Sequence, residues 1–305
     1  MNFRKISIIT PSFNRRDMLE GVVKNVMAQD YPNMEHIVVD GGSSDGTQDM
    51  IKGYPHVIFI CETDRGMYDA LNKGLIISTG EIIGFLNTDD WYVDDILHEV
   101  AAGFNDGGMM ALAGEAEVIK GNGNLVERYS PKDESLLDAS TIGSNFFNAW
   151  FFRRSVFEKI GGFNLEYRIA GDRDLMLRFA LRRLPYSVMN RVTYLYRKHV
   201  ESLTFHDTDE NRETTVKEQL DMTSRYLKEN GLSALERRRL IQLRTHDTVD
   251  MATRSLRKFK IGKFFYYLFE GTKQDVFWLA KFIWSVVSYR VKWLYKKLKA
   301  TGETA

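Results

Sequence analysis

The stretch GEIIGFLNTDDWY, Gly80 to Tyr92, decides how the rest of the chain is interpreted. Its apolar run, residues 82–86, is short and does not alternate with polar residues, which is typical of a strand covered on both faces in a parallel sheet. The run stops at the polar sequence NTDD, which ends in Asp89 and Asp90. Two carboxylates at the carboxyl end of such a strand suit Mg²⁺ or Mn²⁺ carrying a phosphate, because open α/β sheets hold ligands there. A polar turn capping a helix that begins near Tyr92 explains the same residues equally well.

Strand-like and helix-like segments alternate before this stretch. Apolar runs at residues 6–9, 36–39 and 57–60 predict three strands. Helical spacing of apolar residues predicts one helix capped by Asn14 and another from about Arg65 to Ser78 that Gly80 ends. This alternation indicates right-handed β-α-β units and a parallel sheet. The glycine-rich fingerprints of dinucleotide sites and P-loops are absent from the sequence, so a nucleotide would need another group, such as a metal at Asp89, to neutralise its phosphates.

The pattern changes to α+β after residue 106. Residues 115–120 and 124–129 flank the turn sequence GNG and predict a β-hairpin. A short helix is then predicted to end at Gly161 and Gly162, and a second helix to begin near Asp172 and Asp174. Aspartates at the start of a helix very often only cap it and complement its dipole.

The overall composition is that of a globular protein with a proper core: 305 residues, 44% of them hydrophobic and 27% charged. Cys61 is the only cysteine, which excludes disulfides and a thiolate cluster and fits a reducing compartment. The first residues lack the apolar core of a signal peptide, so we expect no cleaved leader.

Four sequence elements, taken in order, resemble the family 2 glycosyltransferases, inverting enzymes of the GT-A fold that use nucleotide sugars. The elements are SIITPSFNR, VVDGGSSDGT, DRGMYDALNKGLIISTGEIIGFLNTDD, and GGFN followed by AGDRDLMLR. The resemblance spans about residues 5 to 205. DRGMYDALNKG is similar to the branch that builds bacterial surface polysaccharides such as O-antigen, capsule or exopolysaccharide.

The resemblance implies a role for each matching residue. The residues expected to bind the nucleotide sugar are Thr10, Pro11, Asp40, Asp64, Arg65 and Thr88, with Asp40 hydrogen-bonded to the base. Asp89, together with Asp90, would hold Mg²⁺ or Mn²⁺, and Asp172 would be the general base. For Asp90, a helix-capping role explains the sequence as well as metal binding does.

Two residues depart from the pattern of the resembled family. Asn87 stands where the first Asp of a D-x-D element often lies, which leaves less negative charge for a metal. Gly171 stands where a Glu often precedes the base, so a neighbouring carboxylate is missing unless Asp174 supplies one. The inverting chemistry needs only one base on the acceptor side, in contrast to the two carboxylates of glycosidases.

The implied fold class is α/β, a GT-A domain in which a Rossmann-like β-α-β half is fused to an α+β half. We expect the catalytic domain at residues 1–205, with a nucleotide-sugar-binding half at 1–105 and an acceptor half at 106–205. A helical extension is expected at 206–253 and a basic aromatic tail at 254–305. The donor would be a nucleotide-diphosphate sugar, with a UDP-sugar favoured, and the acceptor a hydroxyl of a lipid-linked glycan.

The tail has 12 basic and three acidic residues, a net charge of +9, whereas the preceding residues carry −8. Its last segment is a basic, aromatic amphipathic helix too short in apolar length to span a bilayer. It would lie on an anionic membrane surface, or else pack on the catalytic domain or a second copy. We therefore expect a cytoplasmic protein that is peripheral on the inner face of the cytoplasmic membrane. We expect no nucleic-acid partner, and the sequence is compatible with an oligomer.

Two other functions compete with glycosyl transfer. A sugar nucleotidyltransferase could share the nucleotide-binding sheet, but TPSFNRRDM is a poor match to the glycine-rich triphosphate loop such enzymes need. A non-catalytic, membrane-associated scaffold could retain nucleotide binding. The presence of both Asp89 and Asp172 favours an enzyme over such a scaffold.

Overall fold

The computed structural model describes residues 3–104, 108–121, 123–132, 135–143, 146–198, 208–273 and 275–284. The chain divides into two compact units, one ending at Asp207 and the other beginning at Thr208.

The first unit is built on a mixed sheet. Its described strands are β1 (Ile6–Ser12), β2 (Met34–Asp40), β3 (Val57–Cys61), β4 (Ile82–Phe85), β5 (Trp91–Tyr92), β6 (Ala111–Lys120), β7 (Leu125–Tyr129), β8 (Trp150–Arg153) and β9 (Tyr186–Lys198). Its helices are α1 (Arg16–Met27), α2 (Thr47–Ile51), α3 (Met67–Ile77), α4 (Ile96–Gly103), α5 (Leu136–Thr141), α6 (Arg154–Ile160) and α7 (Gly171–Leu181). The strand order is β3-β2-β1-β4-β8-β6-β9-β5, and β7 pairs with β6.

The first four strands of this order are parallel, as the alternating pattern predicts. β4 is buried along its whole length, so its apolar, non-alternating sequence reflects cover on both faces. Because the four strands are parallel, their carboxyl ends lie at the same edge of the sheet, and the loops that follow them meet there. The next strand, β8, is antiparallel to β4 and to β6, which makes the second half of the sheet mixed.

Aromatic side chains join the two halves of the sheet. The ring of Phe85 on β4 lies 4.9 Å from that of Phe147 and 5.5 Å from that of Phe163, measured between centroids. Phe152 on β8 and Phe179 on α7 belong to the same core. Each buried aromatic removes a large apolar area from water, so this cluster fixes β4 against the helices that follow.

Several local predictions are wrong in detail. The cap of α1 is Arg15, and Asn14 instead has a positive φ of 50°. No helix begins near Tyr92, because Trp91 and Tyr92 form β5 and pair with β9 before α4 begins. α3, expected from about Arg65 to Ser78, spans Met67–Ile77 and is capped by Ser78, so Gly80 is not the residue that ends it.

Gly80 serves close packing rather than helix termination. A β carbon built there would lie 2.5 Å from the hydroxyl oxygen of Ser7 and 2.6 Å from its backbone nitrogen. The N–H of Gly80 donates to that same hydroxyl at 2.8 Å. A larger residue would therefore push apart the beginning of β4 and the neighbouring strand β1.

The second unit contains α8 (Asp209–Tyr226), α9 (Ala234–Arg257) and α10 (Ile261–Thr272). α9 begins with a capping box between Ser233 and Glu236 and continues through residue 253, where the change in composition predicts a boundary. Trp278 is fully buried in this unit, and its indole N–H donates to Thr248 at 2.8 Å. The predicted tail helix beyond residue 284 lies outside the described residues.

Candidate functional site

The loops that follow β1, β2 and β3 meet at the carboxyl edge of the parallel strands. A β carbon built on Gly41 would lie 2.6 Å from Oδ2 of Asp64 and 3.2 Å from the ring of Phe13. Only a glycine lets these three loops approach so closely. The ring of Phe13 is 59% exposed beside them. The motifs in the sequence do not mark Phe13, although an aromatic residue directly after a buried strand is a usable signal of such a position.

Thr10 and Pro11 are both buried in β1. The hydroxyl of Thr10 lies 3.0 Å from Nε2 of His36 on the neighbouring strand. Burial lowers the pKa of His36 to about 3, so this imidazole is neutral around pH 7. The side chain of Thr10 therefore joins two strands, and the expectation that Thr10 and Pro11 border the nucleotide stays a prediction.

Asp40 at the end of β2 is also fully buried. Its Oδ1 accepts hydrogen bonds from the N–H groups of Gly42 at 3.1 Å and Ser43 at 2.7 Å, and its Oδ2 accepts from the hydroxyl of Ser43 at 2.6 Å. The thiol of Cys61 donates to Oδ1 at 3.3 Å. Asp40 thus shapes the loop after β2, and a contact with a base would have to compete with these donors.

The loop after β3 carries Asp64 and Arg65. Asp64 is partly buried, and its Oδ1 accepts from the N–H of Gly66 at 2.8 Å. The side chain of Arg65 is 75% exposed, with a terminal nitrogen 3.7 Å from Asp69. Asp64 therefore lies among the convergent loops, and Arg65 extends into solvent.

The two aspartates after β4 have different environments. Asp90 is fully buried, whereas Asp89 is partly exposed and Thr88 is 9% exposed. Oδ2 of Asp90 accepts from the hydroxyl of Tyr194 at 2.6 Å, and Oδ1 accepts from the N–H of Arg197 at 2.9 Å. Burial, reinforced by the charge of Asp89, raises the pKa of Asp90 to about 8. The predicted metal role of Asp90 does not fit this geometry, because both of its oxygens are used inside the protein.

Arg197 ties the end of β9 to this turn. Its Nε donates to the carbonyl oxygen of Asp89 at 2.6 Å, and its guanidinium lies 4.2 Å from the ring centroid of Trp91. A guanidinium that stacks on an indole and donates from its edge holds two neighbours at once. Because β9 is only partly buried and carries many polar residues, its sequence predicts neither the strand nor this support for Asp89.

Asp172 lies half-buried in the first turn of α7. Its Oδ1 accepts from the N–H of Arg173 at 2.7 Å and lies 3.3 Å from the hydroxyl of Tyr68. Burial raises the pKa of Asp172, while the N–H and charge of Arg173 and the hydroxyl of Tyr68 act in the opposite direction. Because Tyr68 lies in the first turn of α3, this contact places Asp172 beside the loop that leaves β3.

Asp174 does not supply the missing carboxylate neighbour of Asp172. It is 2% exposed, and its Oδ2 pairs with Nε and Nη2 of Arg178 at 2.9 and 2.8 Å. Arg178 in turn donates to the carbonyl oxygen of Gly162 at 2.7 Å. Asp174 therefore fastens α7 to the end of α6.

The residues present fit a divalent cation that is shared with a ligand. Among the side chains that the structure describes, no group of three or more His, Cys, Asp or Glu residues is placed to hold a metal. Mg²⁺ and its relatives usually keep several waters and bind through one or two carboxylates plus substrate phosphates. Because Asp90 is turned inward, Asp89 is the carboxylate in this turn that fits as a ligand of the cation.

Comparison with known proteins identifies the family. The profile of Glycosyl transferase family 2 matches residues 7–161. An uncharacterised glycosyltransferase of Mycobacterium tuberculosis is 30% identical over 201 residues, which cover 60% of this chain and 71% of that protein. A PGL/p-HBAD biosynthesis glycosyltransferase of Mycobacterium bovis is 33% identical over 179 residues, which cover 56% of this chain and 68% of that protein.

Solved structures agree at the level of the fold. TarS 1–349 of S. aureus in complex with UDP-GlcNAc aligns with a TM-score of 0.62 and 16% identity, over 88% of this chain and 91% of that one. The mannosyltransferase PcManGT from Pyrobaculum calidifontis was solved in complex with GDP-Man and Mn²⁺. It aligns with a TM-score of 0.60 and 18% identity, over 94% of this chain and 88% of that one. The chain spans 43% of a longer TarS structure.

The chain belongs to glycosyl transferase family 2. It is a glycosyltransferase with the GT-A fold and a helical C-terminal region, which confirms the family and the fold class expected from the sequence.

Proposed function

We propose that this enzyme transfers a sugar, with inversion, from a nucleotide-diphosphate sugar to a hydroxyl of a lipid-linked glycan in surface-polysaccharide synthesis, with Asp172 as general base. The observation that carries the proposal is the position of Asp172, which Tyr68 ties to the loop edge of the parallel strands. That edge is where open α/β sheets bind their ligands. A carboxylate with a raised pKa is a stronger base for an acceptor hydroxyl.

The donor would bind where the loops after the first three strands converge. Asp64 lies partly buried there, and the exposed ring of Phe13 offers a flat apolar surface. We favour a UDP-sugar. TarS is seen with UDP-GlcNAc and PcManGT with GDP-Man, so the fold itself accepts either nucleotide.

Asp89 would hold Mg²⁺ or Mn²⁺ against the donor diphosphate. The cation, when bound, would neutralise negative charge on the phosphates. Asp89 is suited to this because Arg197 fixes its carbonyl oxygen and Asp90 anchors the turn from within. PcManGT, which shares the fold, is seen with Mn²⁺.

Two measurements test the proposal. A thermal-stability screen of UDP-, GDP- and dTDP-sugars with Mg²⁺ or Mn²⁺ identifies the donor, since a ligand at 100 times its Kd stabilises the fold by about 2.7 kcal/mol. Asp172→Asn should then abolish transfer and leave that donor stabilisation in place, whereas Asp49→Asn, at an exposed site on α2, should change neither. Retained turnover in Asp172→Asn excludes Asp172 as the base. Donor binding without transfer by the wild-type protein, tested with lipid-linked glycan acceptors, favours the scaffold alternative.

We also propose that the second unit binds anionic membranes from the cytoplasmic side. Its described part contains no helix long and apolar enough to cross a bilayer. Several large apolar side chains are nevertheless exposed on it: Phe259, Phe265, Phe269, Val276, Phe277 and Trp284. Not every predicted lipid contact remains available, because Trp278 and Phe282 are buried and Lys281 pairs with Asp275 at 2.6 Å.

Point substitutions test membrane binding better than truncation does. Deleting residues 254–305 would remove Tyr267 and Trp278 from the core of the second unit. Phe265→Ser with Phe269→Ser changes exposed side chains only, and should reduce co-sedimentation with phosphatidylglycerol vesicles. Exposed Ile76→Ser, on α3 of the first unit, is the control. Equal co-sedimentation of both variants with wild type would count against this surface.

A further inference from the structure

Tyr68 is held rigidly beside the candidate base. It is 4% exposed, and its ring stacks on Phe163 with centroids 5.2 Å apart and planes at 19°. The backbone of Phe163 is fixed in turn by Asn72, which donates to its carbonyl oxygen and accepts from its N–H, both at 2.8 Å. The ring of Tyr68 is therefore supported on one face by a residue that is itself tied down.

Gly171 lies against the same ring. A β carbon built on Gly171 would lie 2.6 Å from Cε2 of Tyr68 and 2.9 Å from its Cζ. Non-bonded carbons do not approach so closely, so a side chain at position 171 would displace the ring. Gly171 is not among the glycines with positive φ. The neighbouring ring, and not the backbone conformation, therefore accounts for a glycine here.

The hydroxyl of Tyr68 has one proton to give and lies within reach of two acceptors among the described residues. It donates to the carbonyl oxygen of Ile169 at 2.7 Å and lies 3.3 Å from Oδ1 of Asp172. When Asp172 is ionised, the phenol can turn its proton toward the carboxylate. When Asp172 has taken a proton, its carboxylic O–H can donate to the phenol oxygen while the phenol donates to Ile169. The same hydroxyl thus has a partner in both protonation states of Asp172.

We propose that Tyr68 is a positioning residue for Asp172, and that Gly171 is a glycine because the ring of Tyr68 occupies the space beside the base. This inference rests on the proposed role of Asp172 as general base. A neutral hydroxyl, not a second carboxylate, is then the group that orients the base.

The charged residues that flank Asp172 on its own helix, Arg173 and Asp174, both direct their side chains to other partners. Arg173 contributes its N–H to Asp172, but its guanidinium donates to the carbonyl oxygens of Ser140, at 3.2 Å, and Thr141 on α5. Asp174 is paired with Arg178. Among the residues that the structure describes, Tyr68 from α3 and Arg173 from the same helix donate to Asp172, and Tyr68 contributes the side-chain donor.

Tyr68→Phe tests the proposal, because it keeps the stacked ring and removes the hydroxyl. The pKa of Asp172 is measured without donor by ¹³C NMR titration of the labelled carboxyl group, assigned by its loss in Asp172→Asn. Because the Tyr68 hydroxyl acts to lower the pKa of Asp172, removing it should raise that pKa. The acid limb of kcat/KM should move to higher pH by the same amount, with kcat lowered and the donor KM unchanged.

Tyr31→Phe is the matched control. Tyr31 is likewise buried, and its hydroxyl donates at 2.8 Å to the carbonyl oxygen of Arg4, just before β1. This variant should leave the titration of Asp172 and the pH profile unchanged. Unchanged values in Tyr68→Phe as well would overturn the positioning role. Turnover in Asp172→Asn would instead overturn the proposed function, and the titration would still decide the contact between Tyr68 and Asp172.

The claim about Gly171 is tested separately. Gly171→Ala should lower the thermal stability of the wild-type protein, and the loss should shrink in a Tyr68→Ala background, where the ring is absent. Equal losses in the two backgrounds would overturn the claim that ring and side chain compete for one space.

Discussion

Tyr194 donates a hydrogen bond of 2.6 Å to Oδ2 of Asp90, although the two residues are 104 positions apart in the chain. Both side chains are fully buried. The bond joins β9, in the mixed half of the sheet, to the turn that ends the parallel strand β4. It explains why adjacent aspartates differ, since Asp90 points into the protein and Asp89 keeps contact with solvent.

Tyr194→Phe should destabilise the protein. The substitution leaves Oδ2 of Asp90, which is fully buried, with only the long 3.4 Å contact from the side-chain amide of Asn87, which should lower the free energy of unfolding by about 1–3 kcal/mol in urea denaturation. Tyr54→Phe is a suitable control, because its hydroxyl bonds Glu20 at a partly exposed site, and its effect should stay within about 0.5 kcal/mol. A similar loss of stability in both variants would argue that the Asp90 contact has no special role.

Asp89→Asn should mainly affect donor binding, whereas Asp90→Asn should mainly affect the stability of the fold. Asp89→Asn should weaken metal-dependent donor binding measured by calorimetry, and it should cost less stability than Asp90→Asn because Asp89 is partly exposed. Asp90→Asn should lower stability by about 1–3 kcal/mol, because the replacement disturbs the buried bonds from Tyr194 and Arg197. If donor binding is unaffected by both EDTA and Asp89→Asn, the metal proposal fails.

The parallel half of the sheet could be predicted because its information is local. β1, β2 and β4 are short apolar runs, and the helices between them repeat apolar residues with helical spacing. β9 carries polar residues along much of its length and is only partly buried, so neither periodicity nor an apolar run marks it. Its place in the sheet comes from pairing with β6, far away in sequence.

The candidate site could be predicted only as a set of residues. The order of motifs selects Asp89 and Asp172, but it cannot show which member of the Asp89–Asp90 pair faces inward. That depends on Tyr194, which lies on the strand that sequence reasoning missed. The reason for Gly171 was equally hidden, because the ring that requires it belongs to Tyr68 on a distant helix.

Glu35→Gln should lower stability in a pH-dependent way. Burial alone would raise the pKa of Glu35, but hydrogen bonds from Lys5, Ser7 and Thr79 outweigh it and hold this pKa at about 2. A folded-state pKa below the unfolded value of 4.5 stabilises the protein above about pH 4.5, and this contribution disappears as pH falls toward 2. The cost of Glu35→Gln should therefore approach about 2–3 kcal/mol at pH 6 and decrease steadily by pH 3. Urea denaturation across this range checks it, with exposed Glu62→Gln as the control; a cost independent of pH would contradict the assignment.

Arg197→Lys should impair donor binding even though it conserves the charge. Arg197 stacks on Trp91 at 4.2 Å while its Nε donates to the carbonyl oxygen of Asp89 at 2.6 Å. Lysine lacks the planar fork that makes both contacts together, so the turn that carries Asp89 loses its outer support. The bond between the N–H of residue 197 and Asp90 is kept, so stability should fall by less than in Tyr194→Phe. Donor affinity measured by calorimetry should fall about tenfold, the equivalent of 1.4 kcal/mol. Arg191→Lys, on the same strand and partly exposed beside Glu99, should leave that affinity unchanged, and an equal loss in both variants would show that Arg197 does not act through Asp89.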